Sequence, residues 1–401
     1  MNTFKKGYSI KDRQFWVIVM SLGLASVFVF ASMYSVQPLL PFFTVQFNIS
    51  ASYASLAMSM TTLSVIIGLL VFGFLSDRHG RLLFIKVALI LTVIPFLFMA
   101  FSDSFFHIVV WRFIQGFAIA GVPAAALAYI SEEIDSQSMG LATSLYISSN
   151  ALGGTIGRLV MGSVTERYSW ETAFLSLALL GFIIFIIVWL ALPKSKHFVQ
   201  HCRSIKTDVH GFWIHLKNPN LLILFGLGII LQISFTGMWT FIPFHLTEPP
   251  FSLSLKTISF IFLAYSLGIV GSPIASAIAE KIGINSIRTI GVLLLVSGIA
   301  LTLSHSLFII IVGLCLACLG FFTAHALTSA TVSRSATHQK GSASSLYLVS
   351  YYIGVTCGSS LLSPIWGFYQ WQGIVIMTII LPILYILFLT ITHNRRKSEC
   401  Y

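Results

Sequence analysis

Two arginines and a histidine stand where an apolar chain has least use for them. Arg112 lies in IVVWRFIQGFAIAG, Arg158 in GGTIGRLVMG and His325 in GFFTAHALTSA, each inside a long apolar run. A charge at the centre of a bilayer costs about 2.5–3.5 kcal/mol on insertion scales, so each guanidinium must recover that from a partner, water or a ligand. Arg112, Gln115 and Gly116 fall at i, i+3 and i+4 and therefore share one helix face. Arginine grips a carboxylate through two parallel N–H donors, and histidine changes charge near neutral pH, which suits it to carrying a proton. The acids do not answer these cations. Asp12, Asp77, Asp103, Glu132, Glu133, Asp135, Glu166, Glu171, Asp208, Glu248, Glu280 and Glu399 all fall in loops or at the ends of apolar runs. Two buried cations without a mid-helix carboxylate predict an electropositive interior that favours an anionic ligand. A plainer reading exists for each residue: an arginine neutralised by backbone carbonyls, or a histidine bonded across a helix pair. Tyr34, Gln37, Asn150, Trp239, Tyr347, Tyr351 and Tyr352 could add polar or aromatic wall to such a site, although each alone reads equally as packing or interfacial anchoring.

These residues must be positioned by membrane-spanning helices. The 401 residues are 57% hydrophobic and only 9% charged, a composition of integral membrane proteins. Twelve apolar runs, from 15–36 to 373–391, approach or exceed the roughly 20 residues that a helix needs to cross a bilayer. Their continuity excludes the short alternating strands of a barrel. The first run lacks a small-residue cleavage pattern, so it reads as a retained helix. The net charge of +11 could suggest a nucleic-acid partner, but its distribution says otherwise. Of 23 Lys and Arg, 19 fall at the termini or in the connections that would share their side of the membrane. The positive-inside rule then places both termini in the cytoplasm, with the excess charge serving orientation and attraction to anionic lipid. The five cysteines show no disulfide framework, and Cys315 and Cys318 read as packing residues of an apolar helix. No metal-ligand set, cofactor motif or nucleophile–base pair is visible, so an enzyme is not expected.

The chain divides into a first six-helix bundle (1–192), a basic linker (193–219) and a second six-helix bundle (220–401). Within the linker, Ile205, Val209, Trp213 and Leu216 recur at helical spacing, which predicts an amphipathic helix on the membrane surface. The bundles are weak copies of one another. Asp77 and Gly80 return 203 residues later as Glu280 and Gly283. Ser144-Leu145-Tyr146, Gly153, Thr155 and Gly157 return 201 residues later as Ser345-Leu346-Tyr347, Gly354, Thr356 and Gly358. Two blocks in the same order at nearly one offset predict a duplicated unit, as in parallel-repeat transporters. Arg158 is replaced by Ser359 in the second copy, so its charge is not part of the repeated scaffold.

Between the second and third apolar runs lies GFLSDRHGRLLFIK, Gly73 to Lys86. It resembles the loop between helices 2 and 3 of the major facilitator superfamily, G-x-L-a-D-r-x-G-r-k, at Gly73, Leu75, Asp77, Arg78, Gly80 and Arg81. Arg112, Gln115 and Gly116 are similar to that family's helix-4 pattern. Gly153, Gly157 and Gly162 resemble its helix-5 antiporter signature, with Arg158 in the proline position and Met161 replacing one closing glycine. YISEEI, SLYISSNALGG and KGSASSLYLVSYYIG resemble a bacterial branch of inner-membrane exporters. The resemblance implies an all-helical carrier of two pseudo-symmetric six-helix bundles, working by alternating access in the cell membrane as a monomer. It further implies efflux of a small anionic, zwitterionic or amphipathic metabolite or drug by proton antiport, with export of a carboxylate-rich, opine-type metallophore as a specific case. On this reading Arg112, Arg158, Gln115, Tyr34, Gln37, Asn150, Trp239 and Tyr351 bind substrate and His325 couples protons. Gating falls to Gly73, Asp77, Arg78, Gly80, Arg81, Glu133 and Glu280. The alternatives are an organic-anion uptake carrier and a receptor or sensor that binds without translocating.

Overall fold

The computed structural model describes residues 7–196, 212–336 and 340–398, nearly all of them helical. Among these residues β-type pairing is limited to one bridge, Tyr8 to Ile134. The first span is broken: α1 (Arg13–Tyr34) passes through a 3-10 turn at Gln37–Leu39 into α2 (Leu40–Gln46). There follow α3 (Ala51–His79), α4 (Arg81–Ala100), α5 (Phe105–Ile119) continued by α6 (Gly121–Glu133), α7 (Met139–Arg167) and α8 (Trp170–Ala191). Beyond the linker come α9 (Pro219–Thr247), and α10 (Leu255–Ile261), which continues through a 3-10 turn at Phe262–Ala264 into α11 (Tyr265–Ile282). The chain ends with α12 (Ile284–Leu301), α13 (Leu307–Ser335), α14 (Lys340–Ser360) and α15 (Ser363–Ser398). Among the described residues, ten segments are long and apolar enough to cross a membrane. The other two helices of membrane length, α7 and α14, are rich in Gly, Ser and Thr and fall below that hydropathy.

Most of the linker helix expected from Ile205, Val209, Trp213 and Leu216 lies outside the described residues. Within them, residues 212–216 are helical, with Trp213 and Leu216 exposed.

Two compact units are distinguished. One comprises Met1–Ile49, Leu56–Ile205 and Ser254–Leu263, and the other Ser50–Ser55, Lys206–Leu253 and Ala264–Tyr401. In the first, α7 crosses α1 at backbone contact: a Cβ on Gly153 would meet the Val27 carbonyl oxygen at 2.3 Å, and one on Gly157 the Ala31 oxygen at 2.2 Å. In the second, α14 crosses α9 in the same way, Gly354 over the Ile229 oxygen at 2.6 Å and Gly358 over the Ile233 oxygen at 2.8 Å. The echo read in the sequence is thus one helix crossing built twice. Small residues in this spacing let backbones close to dispersion contact, the main attraction between helices in lipid.

The turns that begin α4 and α12 also match. Gly80 (φ 95°) and Gly283 (φ 110°) take a backbone conformation open mainly to glycine, and each sits immediately before the next helix. Gly73 lies inside α3 with nothing within 4 Å of where a Cβ would stand.

Candidate substrate site and charge network

The break after α1 is written in its prolines. A continuing helix would have residue 38 donate to the Tyr34 carbonyl and residue 41 to that of Gln37, but Pro38 and Pro41 have no N–H. Carbonyls at this helix end need other donors. Arg112, from α5, supplies them: Nη1 donates to the Ser32 carbonyl at 2.7 Å and Nη2 to the Met33 carbonyl at 2.6 Å. Its Nε donates to the Ala57 carbonyl of α3 at 3.2 Å, and Nη1 also donates to Gln115 Oε1 at 2.6 Å. Gln115 passes the link on, its Nε2 donating to the Thr92 carbonyl of α4 at 3.0 Å. One cation therefore ties α1, α3, α4 and α5, and a positive group at a helix C-terminus is favoured by the helix dipole. Gly116 completes the contact, since a Cβ there would stand 2.1 Å from the Thr61 oxygen of α3.

Arg112 is 0% exposed. Arg112 and Gln115 were expected to bind substrate; here the guanidinium is spent on backbone carbonyls and is turned into the helix packing. The shared face of Arg112, Gln115 and Gly116 is real, but it faces neighbouring helices.

Arg158 has a different setting. It is 1% exposed, and both its Nε (2.9 Å) and Nη2 (2.7 Å) donate to one acceptor, Gln37 Oε1. Nη1 donates to the Gly154 carbonyl of its own helix at 2.9 Å. The guanidinium lies over the ring of Tyr34 at 4.5 Å and that of Phe262 at 4.7 Å. Desolvated cation–π contacts of this kind contribute about 2 kcal/mol. Gln37 and Tyr34 come from the broken end of α1, so the break capped by Arg112 is also what presents them to Arg158. Phe262 belongs to Ser254–Leu263, the segment that packs with the first unit. It is anchored there through Ser259 against Gly162 and through Lys256 N donating to Glu166 at 2.6 Å. Asn150, also on α7, accepts a hydrogen bond from Ser26 of α1.

In the second unit the aromatic residues form a column. Phe235 stacks on Phe321 at 3.9 Å, Phe321 on His325 at 5.5 Å, and His325 on Tyr347 at 5.5 Å. His325 Nδ1 is hydrogen-bonded to the Tyr347 hydroxyl at 2.9 Å, and the Tyr351 ring lies 5.0 Å away. Trp239 is fully buried against Tyr265, with ring centroids 4.8 Å apart.

A third group gathers where α3 meets α4 and where α6 ends. Arg81 pairs with Asp77, donates from Nη1 to Ser76 Oγ at 3.0 Å, and from Nε to Glu132 Oε1 at 3.1 Å. Arg78 is half-buried beside them. Glu132 and Glu133 were both expected here, and the contacts described for Glu133 lie elsewhere. Its carboxylate accepts from Ser195 Oγ and from Lys196 N at 2.8 Å, holding the start of the linker. Consecutive residues on a helix point about 100° apart, so only one of Glu132 and Glu133 can face Arg81. Tyr8 joins the second cluster, donating its N–H to the Glu133 carbonyl at 2.8 Å, and Tyr129 donates its hydroxyl to the Pro193 carbonyl at 2.8 Å. Glu280, the counterpart of Asp77, is exposed and makes no ion pair among the described residues.

The family model of the Major Facilitator Superfamily matches residues 22–359, and again 224–399. The chain belongs to this superfamily. As a facilitator it is a multi-pass membrane transporter and not an enzyme. It is 35% identical over 348 residues, 86% of each chain, to the uncharacterized MFS-type transporter YybF of Bacillus subtilis. It is 32% identical to the inner membrane transport protein YnfM of Escherichia coli, over 95% of this chain and 92% of that one. Among solved structures, the nucleoside transporter NupG superposes with a TM-score of 0.77 at 14% identity, covering 92% of this chain and 99% of that chain. A bacterial homologue of the lysosomal transporter Spinster, inward-facing and unoccupied, gives 0.75 at 13% identity, covering 94% and 96%.

Within this facilitator, Arg158, Tyr34 and Gln37 converge, while His325, Tyr351 and Trp239 form a separate aromatic group. Phe262 went unassigned in the sequence reading, and Glu132 was expected in the charge network together with Glu133. Nothing in an apolar run marks Phe262, and Glu132 could be told from Glu133 only by the helix phase at the end of α6. The assignment of the gating acid can be checked by coupling energies. Arg81→Ala combined with Glu132→Gln should depart from additivity in unfolding free energy by about 1 kcal/mol or more, as for contacting residues. Arg81→Ala with Glu133→Gln should add within about 0.5 kcal/mol.

Proposed function

We propose that this facilitator is a secondary carrier that exports a small organic anion in exchange for protons, with Arg158 as the group that recognises the anion. The observation that carries this is the contrast between the two buried arginines. Arg112 donates to three carbonyls of other helices, which supports an architectural role for it. Arg158 instead holds its Nε–Nη2 edge on one side-chain amide oxygen, with a ring against each face. A carboxylate can take that same edge in a charge-assisted bidentate pair. A carboxylate-bearing metal chelator is one substrate class of this kind.

In the proposed cycle two six-helix halves joined by the 193–219 linker alternate access in the cell membrane, with both termini cytoplasmic. The Arg81 network acts as a gate, and the protein acts as a monomer. His325 carries the coupling proton, supported by its hydrogen bond to the Tyr347 hydroxyl within a stacked aromatic column. Everted vesicles with an acidified lumen should accumulate a labelled carboxylate and not its amide. Accumulation only in right-side-out vesicles would make the protein an uptake carrier, and binding without flux a receptor. His325→Gln should retain exchange of labelled for unlabelled substrate while losing its response to an imposed pH gradient, and retention of that response would place coupling elsewhere.

A further inference from the structure

The guanidinium of Arg158 presents its Nε–Nη2 edge to Gln37, and that edge is the one by which arginine takes a planar carboxylate in two parallel hydrogen bonds. Here a single oxygen, Gln37 Oε1, accepts from both nitrogens, at 2.9 Å from Nε and 2.7 Å from Nη2. The flat faces of the cation are engaged by the Tyr34 and Phe262 rings, and Nη1 is turned back onto Gly154. The Nε–Nη2 edge is therefore the direction from which a ligand carboxylate can approach in the plane, and a residue of the chain already occupies it.

We propose that Gln37 is a resident placeholder: its side-chain carbonyl fills the carboxylate position on Arg158 in the unloaded carrier and is displaced by the carboxylate of the substrate. This rests on the reading of Arg158 as the anion-recognising group, and it narrows the ligand class to planar carboxylates. Gln37 suits the role in three respects. It is 1% exposed, so its amide oxygen gains little from water and is held by Arg158. It is neutral, so it satisfies the N–H donors without cancelling the charge, and an anion retains an electrostatic advantage over it. It stands in the 3-10 turn that interrupts the first span, with Pro38 next to it. Its backbone is set by that turn, and displacing the amide takes a change of side-chain torsions alone. Once displaced, the amide can offer its N–H2 to the bound carboxylate.

Two substitutions should act in opposite directions, which a residue that simply binds substrate would not produce. Gln37→Ala empties the position and removes the competitor, and Gln37→Glu fills it with a permanent carboxylate. The test is calorimetric binding of benzoate to the full chain in lipid nanodiscs, with benzamide and inorganic phosphate as comparators. Benzoate should bind about tenfold more tightly to Gln37→Ala than to the natural chain, and at least about tenfold more weakly to Gln37→Glu, each step matching roughly one charged hydrogen bond gained or lost. Benzamide should show neither change, and phosphate should bind more weakly than benzoate. Gln37→Glu should also raise the melting temperature, since the site is then satisfied internally. Benzoate binding that requires Arg158 but is unchanged or weakened in Gln37→Ala overturns the placeholder alone. Binding that survives Arg158→Met removes the anion site itself. Failure of benzoate to bind either the natural chain or Gln37→Ala overturns the proposal.

Discussion

Arg158→Met should abolish saturable transport, with a loss of at least about a hundredfold in kcat/KM, while the protein still accumulates in the membrane. Two charge-assisted hydrogen bonds to a substrate carboxylate, at about 1.5–3 kcal/mol each, account for a loss of this size. The fold should tolerate the change because Met keeps apolar contact with the Tyr34 and Phe262 rings. The Gly154 carbonyl belongs to the interior of α7 and also serves the helix ladder, while the Gln37 amide oxygen must find a new donor. Arg158→Lys should recover only part of the activity, since an ammonium carries the charge but not the planar fork. Flux by Arg158→Met at the natural rate, in vesicles matched for protein content, would sink the anion-carrier reading.

Arg112→Met should fail in the opposite manner. The substitution strands the Met33 carbonyl and the Gln115 amide oxygen inside a packed contact and removes one donor each from the Ser32 and Ala57 carbonyls, which keep Ser35 Oγ and Thr61 Oγ1. Leaving a buried polar group unsatisfied costs about 1–3 kcal/mol, and two together consume a large share of the 5–15 kcal/mol by which a typical protein is stable. The expected result is a sharp fall in the amount of folded, monodisperse protein extracted from membranes, before any transport is measured. Arg112→Lys should restore some of it, because an ammonium can still reach one or two carbonyls. A stable Arg112→Met protein with a selective defect in substrate affinity would reverse the assignment and return Arg112 to the binding site.

The two arginines also show where the sequence stops being legible. Both lie in apolar runs next to small residues, and on insertion cost alone they are alike. What separates them is the location of open carbonyls, which depends on a helix break about 75 residues before Arg112. Pro38 and Pro41 are visible in the sequence, but the guanidinium that their break recruits is not. The twelve spans could be read because hydrophobicity is additive along the chain. The duplication could be read because glycines at a backbone crossing cannot be exchanged for anything larger, and Gly153, Gly157, Gly354 and Gly358 stand in both copies. Contacts made by apolar side chains left no such mark: Phe262 over Arg158 is indistinguishable in sequence from the lipid-facing residues around it. That Glu132 and Glu133 could not be told apart has the same origin, since the phase of a helix end shifts with a single residue.

The low hydropathy of α7 and α14 bears on how the chain enters the membrane. A segment with that much Gly, Ser and Thr gains little from partitioning into lipid alone, so its entry depends on a surface already waiting for it. For α7 that surface is α1, which leaves the ribosome more than a hundred residues earlier; for α14 it is α9, at a similar lead. Biosynthesis therefore has an order built into it. Each long-delayed, weakly hydrophobic helix is delivered to a partner that was threaded first, and a nascent chain shortened to begin after α1 should leave α7 stalled at the translocon or exposed to quality-control proteases.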